Sequence, residues 1–552
     1  MEGEIHTAKV LSKQPTRRGK NRNWVNLQNS GTDKGSSVDW EEIDWWREVS
    51  EHVNQVLILT DVEQYDQDVI DAKQKELNNL KEHSVYESVK DVGQKTVSSK
   101  WVVEERVGAD GNASIKARLV ARGFEEDMSN KKIDSPTCSR QALRMVYTTA
   151  ATCGWDICSL DVKSAFLQGN MIKREVYVKP PKDIRENGRI WKLNRCLYGL
   201  SDAPREWYDK LSKKLIEFGG KISKFDKTMF MWHDDDGKLV GLVTVHVDDL
   251  IYCGDGVWHE TVINMFAGEF KVKSMDSCSF RYLGLNIEQD GDTVYVDQKK
   301  YVQELKETVI DETRKEMNTD KLTEKEQKQL RSMCGQLLWA TSQTRPDVAY
   351  ESCVLSNSGK DATVQNLLDA NRAVRHLKAA DLKIQYPGLG NVNNIQILAY
   401  GDATHASLPT GESQGANIIF MSGNGKVAPM SWKSKKLERV TKSPLASEVS
   451  AVADAADSGY LIAEMTKEIF NLKKRPKIVV FTDSKSLQQH LQSTRTIQDA
   501  RLRVDIARLK QMMDLEEIEM RWVCSKSQLA DSLTKKGSSA AQLIKVLVSG
   551  RI

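Results

Sequence analysis

Gly241–Asp255 reads GLVTVHVDDLIYCGD and sets two adjacent carboxylates, Asp248 and Asp249, between two short apolar runs. That pattern suits a tight hairpin. Carboxylates at the end of a core strand are costly unless a partner compensates them. One reading is a solvated hairpin turn; the other is a pair of metal ligands held on rigid strands. Taken alone the pair favours the turn, because short motifs are weak signals. Asp161 in SLDVKSAFLQG changes the balance, since it too follows an apolar run at what reads as a strand's end. Two strand-borne sites with three carboxylates could converge on paired divalent cations, one activating the attacking oxygen and one supporting the leaving oxygen.

A phosphoryl-transfer site also needs cations for the incoming phosphates. KTVSSKWVVEERVGADGNASIKARLVARGF reads as a β-hairpin around Asp110-Gly111-Asn112, a strong turn signal. Its second strand carries Lys116, Arg118 and Arg122, which period two places on one face. The competing reading is a solvated polar strand face.

The chain has 552 residues, the size of three to four domains. Eighty basic and 77 acidic residues leave a net charge of +3, so no extreme field dictates a partner. A near-neutral total can still hide a basic groove. The nine cysteines form no C-x-x-C pair, which argues for a reducing compartment rather than a disulfide framework or zinc ribbon. No apolar run reaches the roughly 18 residues of a membrane span, and the N-terminus lacks an apolar signal core. A soluble, cytoplasmic protein is expected.

Residues 1–67 read as a disordered or weakly ordered segment. Within them SVDWEEIDWWREVSEHVNQVL reads as a short amphipathic packing helix or a docking helix. From Asp68 the chain becomes globular; DVIDAKQKELNNLKEHSVYE has helical spacing, with Ile70, Leu77 and Leu80 on or near one face. Helical segments run from about Lys300 to Ala380. A second α/β pattern begins near Ile395: strand, two strands, helix, strand, helix.

The ordered motifs KARLVARGF, LDVKSAFLQGN, EVYVKPP, WKLNRCLYGLSDAPREWYDKL, VHVDDL and CGQLLWATSQTRPDVAYES together resemble the reverse transcriptase of copia-type LTR retrotransposon Pol polyproteins. The resemblance covers roughly residues 68–380. It implies a right-hand polymerase, with fingers and palm over 68–300 and thumb or connection over 301–394. It maps Asp161, Asp248 and Asp249 onto the palm's metal-binding aspartates, and Lys116 and Arg118 onto the phosphate-contacting fingers. Phe166 falls at the aromatic steric gate against a ribose 2′-OH, and Tyr198 and Gly199 at the segment beneath the templating base. As plainer readings, Phe166 is a core aromatic and Tyr198-Gly199 a turn. His246 departs from the family's usual aromatic two residues before the paired aspartates. Its flat ring can still contact the primer.

Residues 395–552 carry their own carboxylates. Asp402 follows the strand IQILAY, Glu448 lies on LASEVSAVADAA, Asp483 ends KIVVFTD, and Asp531 sits in SQLADSLTKK. Singly each has a plain reading, as a helix N-cap or a solvated helix residue. Their order resembles a ribonuclease H-like α/β domain in its copia-type form. The family commonly has two glutamates, and Ala446 stands at the first, so the ligand falls at Glu448.

The joint resemblance implies an RNA-directed DNA polymerase with ribonuclease H activity. Each site would use two Mg²⁺, with Mn²⁺ as a substitute. An RNA template, a DNA primer, the RNA–DNA hybrid and deoxynucleoside triphosphates are the expected partners, with integrase and capsid proteins of the same element as candidates. Hybrid would be held through phosphates and shape. An active element places the protein within virus-like particles. No integrase zinc knuckle or aspartic-protease D-T/S-G module is evident, so the chain reads as the 3′-terminal part of a polyprotein or a free-standing remnant. Two alternatives stand beside this. One is an inert or domesticated nucleic-acid-binding relic; the other is a nuclease whose polymerase half only binds. The presence of all seven carboxylates weighs against gross decay.

Overall fold

The computed structural model describes residues 67–107, 113–127, 133–408, 411–493 and 498–552, with the backbone of three short strands before them. Those strands, Lys9–Gln14, Trp24–Gln28 and Ser36–Asp39, pair antiparallel. The sequence reading expects no regular element there. Val10, Val25 and Val38 supply β-forming residues, but the polar residues around them hide the alternation. The helix read over 37–57 lies outside the described residues beyond Asp39. The described chain forms two compact units, 1–135 with 164–210, and 136–163 with 211–552.

In the first unit the helix Gln67–Glu82 buries Val69, Glu76 and Leu80, while Ile70 is exposed. The buried stripe therefore starts one residue before the position read from the sequence. A five-stranded sheet runs in the order Tyr86–Lys90, Arg189–Leu193, Tyr177–Lys179, Thr96–Val107, Ala113–Ala121. The last two strands are the expected hairpin, paired from Ser99↔Ala121 to Val107↔Ala113; its turn residues are outside the described set.

The second unit holds a six-stranded antiparallel sheet. Its order is Lys221–Ile222, Met229–His233, Leu239–His246, Asp249–Gly254, Ile157–Val162, Val272–Ser277. The helix Arg140–Cys153 covers it, started by the Ser139 hydroxyl accepting from the Ala142 N–H and ended by Gly154 in the left-handed region. Residues 142–151 of this helix are all buried, the mark of a helix covered on every side. A four-stranded sheet (Ser279–Tyr282, Leu285–Asp290, Thr293–Asp297, Ile384–Pro387) and the helices Glu324–Gln343, Ala349–Asn357 and Val364–Ala379 follow.

The C-terminal sheet runs Lys426–Lys436, Gln414–Gly423, Gln396–Thr404, Lys477–Thr482, Ile518–Trp522, with the last two strands parallel to the central one. The helix Pro444–Ile469 lies against it. Gly401 permits that approach, because a Cβ there would stand 2.9 Å from the Ala451 carbonyl oxygen. One hydrophobic core joins this sheet to the helix Arg140–Cys153 and the four-stranded sheet. At the seam Arg144 is buried. It donates to the carbonyls of Met430 (3.2 Å), Ser342 (2.8 Å) and Gln343 (3.3 Å), and its guanidinium lies 3.6 Å from the Trp432 ring centroid. These partners offset the cost of burying the charge. No described helix is long and apolar enough to cross a membrane.

Candidate active sites

The stretch Gly241–Asp255 folds as the tight hairpin its pattern suggests. Its strands pair from Gly241↔Gly254 to His246↔Asp249, leaving Val247 and Asp248 as the turn. Val247 has φ of +58°, a conformation that costs a β-branched residue about 1–2 kcal/mol. Asp249 stands directly opposite Asp161 on the neighbouring strand, and Val162 donates its N–H to the Asp248 carbonyl at 3.0 Å. The three aspartates thus lie on adjacent strand ends, each half-buried. The Lys273 ammonium pairs with the Asp161 carboxylate. His246 closes the hairpin, and its Nδ1 lies 3.4 Å from the Cys138 sulfur. Burial pushes the Cys138 thiol far up, so it stays protonated and can donate.

The nucleotide candidates gather in the first unit. Lys116 is exposed on the strand Ala113–Ala121, with Arg118 half-buried two residues on. The strand ends at Ala121; the alternation of burial continues through Arg122. Arg118 pairs with Glu104 at 3.4 Å, and its guanidinium lies 6.0 Å from the Tyr198 ring. Phe166 is buried and lies 5.5 Å from Tyr198, ring to ring. The Tyr198 and Gly199 carbonyls accept from Ala121 N–H (2.7 Å) and Gly123 N–H (3.1 Å). Gly199 has φ of +86°, and a Cβ there would lie 2.1 Å from the Ala121 carbonyl oxygen. Only glycine fits that position.

In the C-terminal domain Asp402, Glu448 and Asp483 each bring a carboxylate oxygen within 4.8 Å of the others. Among the described residues this is the one set of three or more potential ligand side chains so close; Asp161, Asp248 and Asp249 do not form such a set. Burial pushes the Asp402 carboxyl up to about 6, against a hydrogen bond from Thr534. Burial, with the charges of Asp402 and Asp483, pushes Glu448 up to about 9. One Glu448 oxygen is buried without a hydrogen-bond partner. Asp483 accepts from the Ser525 hydroxyl at 2.6 Å. Crowded carboxylates with a buried oxygen left unpartnered fit a divalent cation.

Asp531, the fourth ligand expected from the sequence, stands apart from that set. Its carboxylate takes the Lys535 ammonium four residues on and the Ser538 hydroxyl at 2.5 Å. Sequence reading also missed Thr534, Ser525, Lys535 and Lys273, which orient or neutralise the carboxylates. Thr534 and Lys535 stand in the LTKK segment just after Asp531, a cue the sequence does offer; Lys273 arrives from a distant strand and leaves none.

Residues 83–319 match the family model described as "Reverse transcriptase (RNA-dependent DNA polymerase)". That segment is a reverse-transcriptase domain. The wider chain is similar to the Retrovirus-related Pol polyprotein from transposon RE1 of Arabidopsis thaliana, with 26% identity over 81% of this chain and 31% of that protein. It is also similar to the Pol polyprotein from transposon TNT 1-94 of Nicotiana tabacum, at 25% identity over 84% and 36%. The chain is a relative of the copia-type retrotransposon Pol polyproteins and spans about a third of their length. A foamy viral protease-reverse transcriptase solved with double-stranded DNA aligns over 91% of this chain and 90% of its own, at 13% identity and a TM-score of 0.47. So loose a likeness carries no argument about chemistry.

Proposed function

We propose that the chain is an RNA-directed DNA polymerase with a separate site that hydrolyses the RNA strand of RNA–DNA hybrids. The observation that carries the polymerase reading is Asp249 opposite Asp161, with Asp248 at the turn between strands, inside the matched segment. Asp161, Asp248 and Asp249 would hold Mg²⁺ at one site; Asp402, Glu448 and Asp483 would hold it at the other, with Asp531 as an outer carboxylate. Mn²⁺ would substitute. When bound, such cations neutralise charge on phosphate oxygens and lower the pKa of an attacking water or hydroxyl.

The chain's own residues do the rest. Lys116 and Arg118 bind the triphosphate of an incoming deoxynucleotide. Phe166 excludes a ribose 2′-OH, and Tyr198 with Gly199 supports the templating base. His246, oriented by Cys138, contacts the primer. In the nuclease site Thr534 and Ser525 fix the directions of Asp402 and Asp483. The substrates are an RNA template, a DNA primer and their hybrid; work within a virus-like particle, beside integrase and capsid proteins, belongs to the same reading.

Primer extension on an RNA template with Mg²⁺ tests this directly. Asp248→Asn should lower extension by roughly a thousandfold or more, the worth of several kcal/mol of charge stabilisation, and leave hybrid cleavage intact. Asp483→Asn should do the reverse. Loss of both activities in either variant, folded and still binding hybrid, overturns the two-site reading.

A further inference from the structure

Three separate segments of the first unit meet at one guanidinium. Arg174 presents Nε and Nη2 to Asp202, both at 2.8 Å, and Nη1 and Nη2 to Glu126 at 2.5 and 3.3 Å. Asp202 is buried and the Glu126 side chain nearly so, while Arg174 is about four-fifths covered. Two carboxylates straddling one fork use both edges of the plane, which a lysine cannot reproduce.

What the fork joins gives it a role. Glu126 lies five residues past the strand that carries Lys116 and Arg118. Asp202 lies three residues past Gly199. Between them the two segments pair through two backbone hydrogen bonds, Ala121 to Tyr198 and Gly123 to Gly199. The Ser201 hydroxyl adds one bond to the Gly123 carbonyl at 3.3 Å. Arg174 closes the open end of that short ladder.

We propose that Arg174 is a positioning residue of the nucleotide pocket, tying Glu126 to Asp202 so that Lys116 and Arg118 keep register with Tyr198 and Gly199. This rests on the polymerase reading of that pocket. Arg174 lies beside the nucleotide candidates without being one of them, so its loss should weaken nucleotide binding more than the chemical step.

The test is steady-state primer extension by the full chain carrying Arg174→Lys or Arg174→Met, with hybrid cleavage measured in parallel. Arg174→Met should raise the KM for deoxynucleotide about tenfold with kcat changed far less, the pattern of lost ground-state binding. Arg174→Lys should fall between it and wild type, and hybrid cleavage should not change. An unchanged KM in folded Arg174→Met, or an equal fall in both activities, overturns the proposal. Hydrogen exchange on wild type and Arg174→Met gives a second readout: faster exchange at both 118–126 and 197–202 supports the clamp, and unchanged exchange overturns it. If wild type neither extends a primer nor binds deoxynucleotide, the polymerase reading fails while exchange still decides whether Arg174 ties the two segments.

Discussion

At the scale of single residues, the hairpin turn shows strain placed beside chemistry. Val247 occupies a conformation suited to glycine, directly before Asp248. Val247→Gly should leave stability unchanged or raise it by about 0.5 kcal/mol, because relief of strain offsets the added freedom of the unfolded chain. The same change should slow extension by about tenfold, since a turn free to swing no longer fixes Asp248; thermal unfolding and primer extension on one preparation separate the two effects. At the Asp402, Glu448 and Asp483 cluster, Mg²⁺ at a hundredfold excess over its Kd should stabilise the protein by about 2–3 kcal/mol. Glu448→Gln should lose most of that gain, read as the shift in unfolding temperature with and without the cation. Asp402, Glu448 and Asp483, which the structure brings together, could be picked out as candidates because each follows an apolar strand or sits in a helix register. The partners of the carboxylates could not, because Lys273–Asp161, Thr534–Asp402 and Ser525–Asp483 join positions 112, 132 and 42 residues apart.

At the scale of elements, turns and short ladders set the tolerances. Gly199→Ala should cost about 3 kcal/mol, combining a strained φ with a clash against the Ala121 carbonyl; an unfolding curve measures it. The hairpins were readable because turn residues are local signals; the Arg140–Cys153 helix was not read, although its Ser139 cap and Gly154 stop are local too. The helical stretch read from Asp68 to Glu87 holds the helix Gln67–Glu82 but runs on into the strand Tyr86–Lys90, and its buried stripe was missed because Glu76 occupies an inward position that hydrophobicity does not mark. The turn TRPD hides a titrating pair. Arg345 holds Asp347 through 2.9 and 2.8 Å bonds, and His376 meets the same carboxylate at 3.2 Å. Although burial pushes the Asp347 carboxyl up, hydrogen bonds from His376 and Arg345 hold it below the ordinary range. The bond to Asp347 raises the His376 imidazole against its partial burial. A raised histidine contributes stability that is full below about pH 6.5 and lost as pH rises through its folded value. The stability difference between wild type and His376→Gln should therefore be largest near pH 6 and shrink as pH rises through the raised His376 value.

At the scale of the whole molecule, motif order pointed to the reverse-transcriptase segment and to a second α/β pattern beginning near Ile395. It could not foretell how the second unit is built. Strands and helices from 136–163 and 211–394 share one apolar core with the C-terminal sheet. That union depends on which helix faces which sheet, and no local pattern encodes it. Arg144→Met should destabilise this unit by about 2–3 kcal/mol, because the buried Met430 bond and the half-buried bonds to Ser342 and Gln343 lose their donor. Scanning calorimetry should show 211–394 and 395–552 unfolding in one transition in wild type, and a lowered midpoint in the variant.

The seat of Arg144 also bears on inheritance. Its three carbonyls come from two distant stretches, Ser342-Gln343 and Met430, and its ring partner is Trp432. A recombination event that replaced residues 395–552 would exchange only the Met430 carbonyl and the Trp432 ring, because Ser342 and Gln343 travel with Arg144. The two sides of this seam are therefore expected to descend together, with crossovers between position 144 and position 432 purged where the incoming segment lacks an aromatic ring at 432.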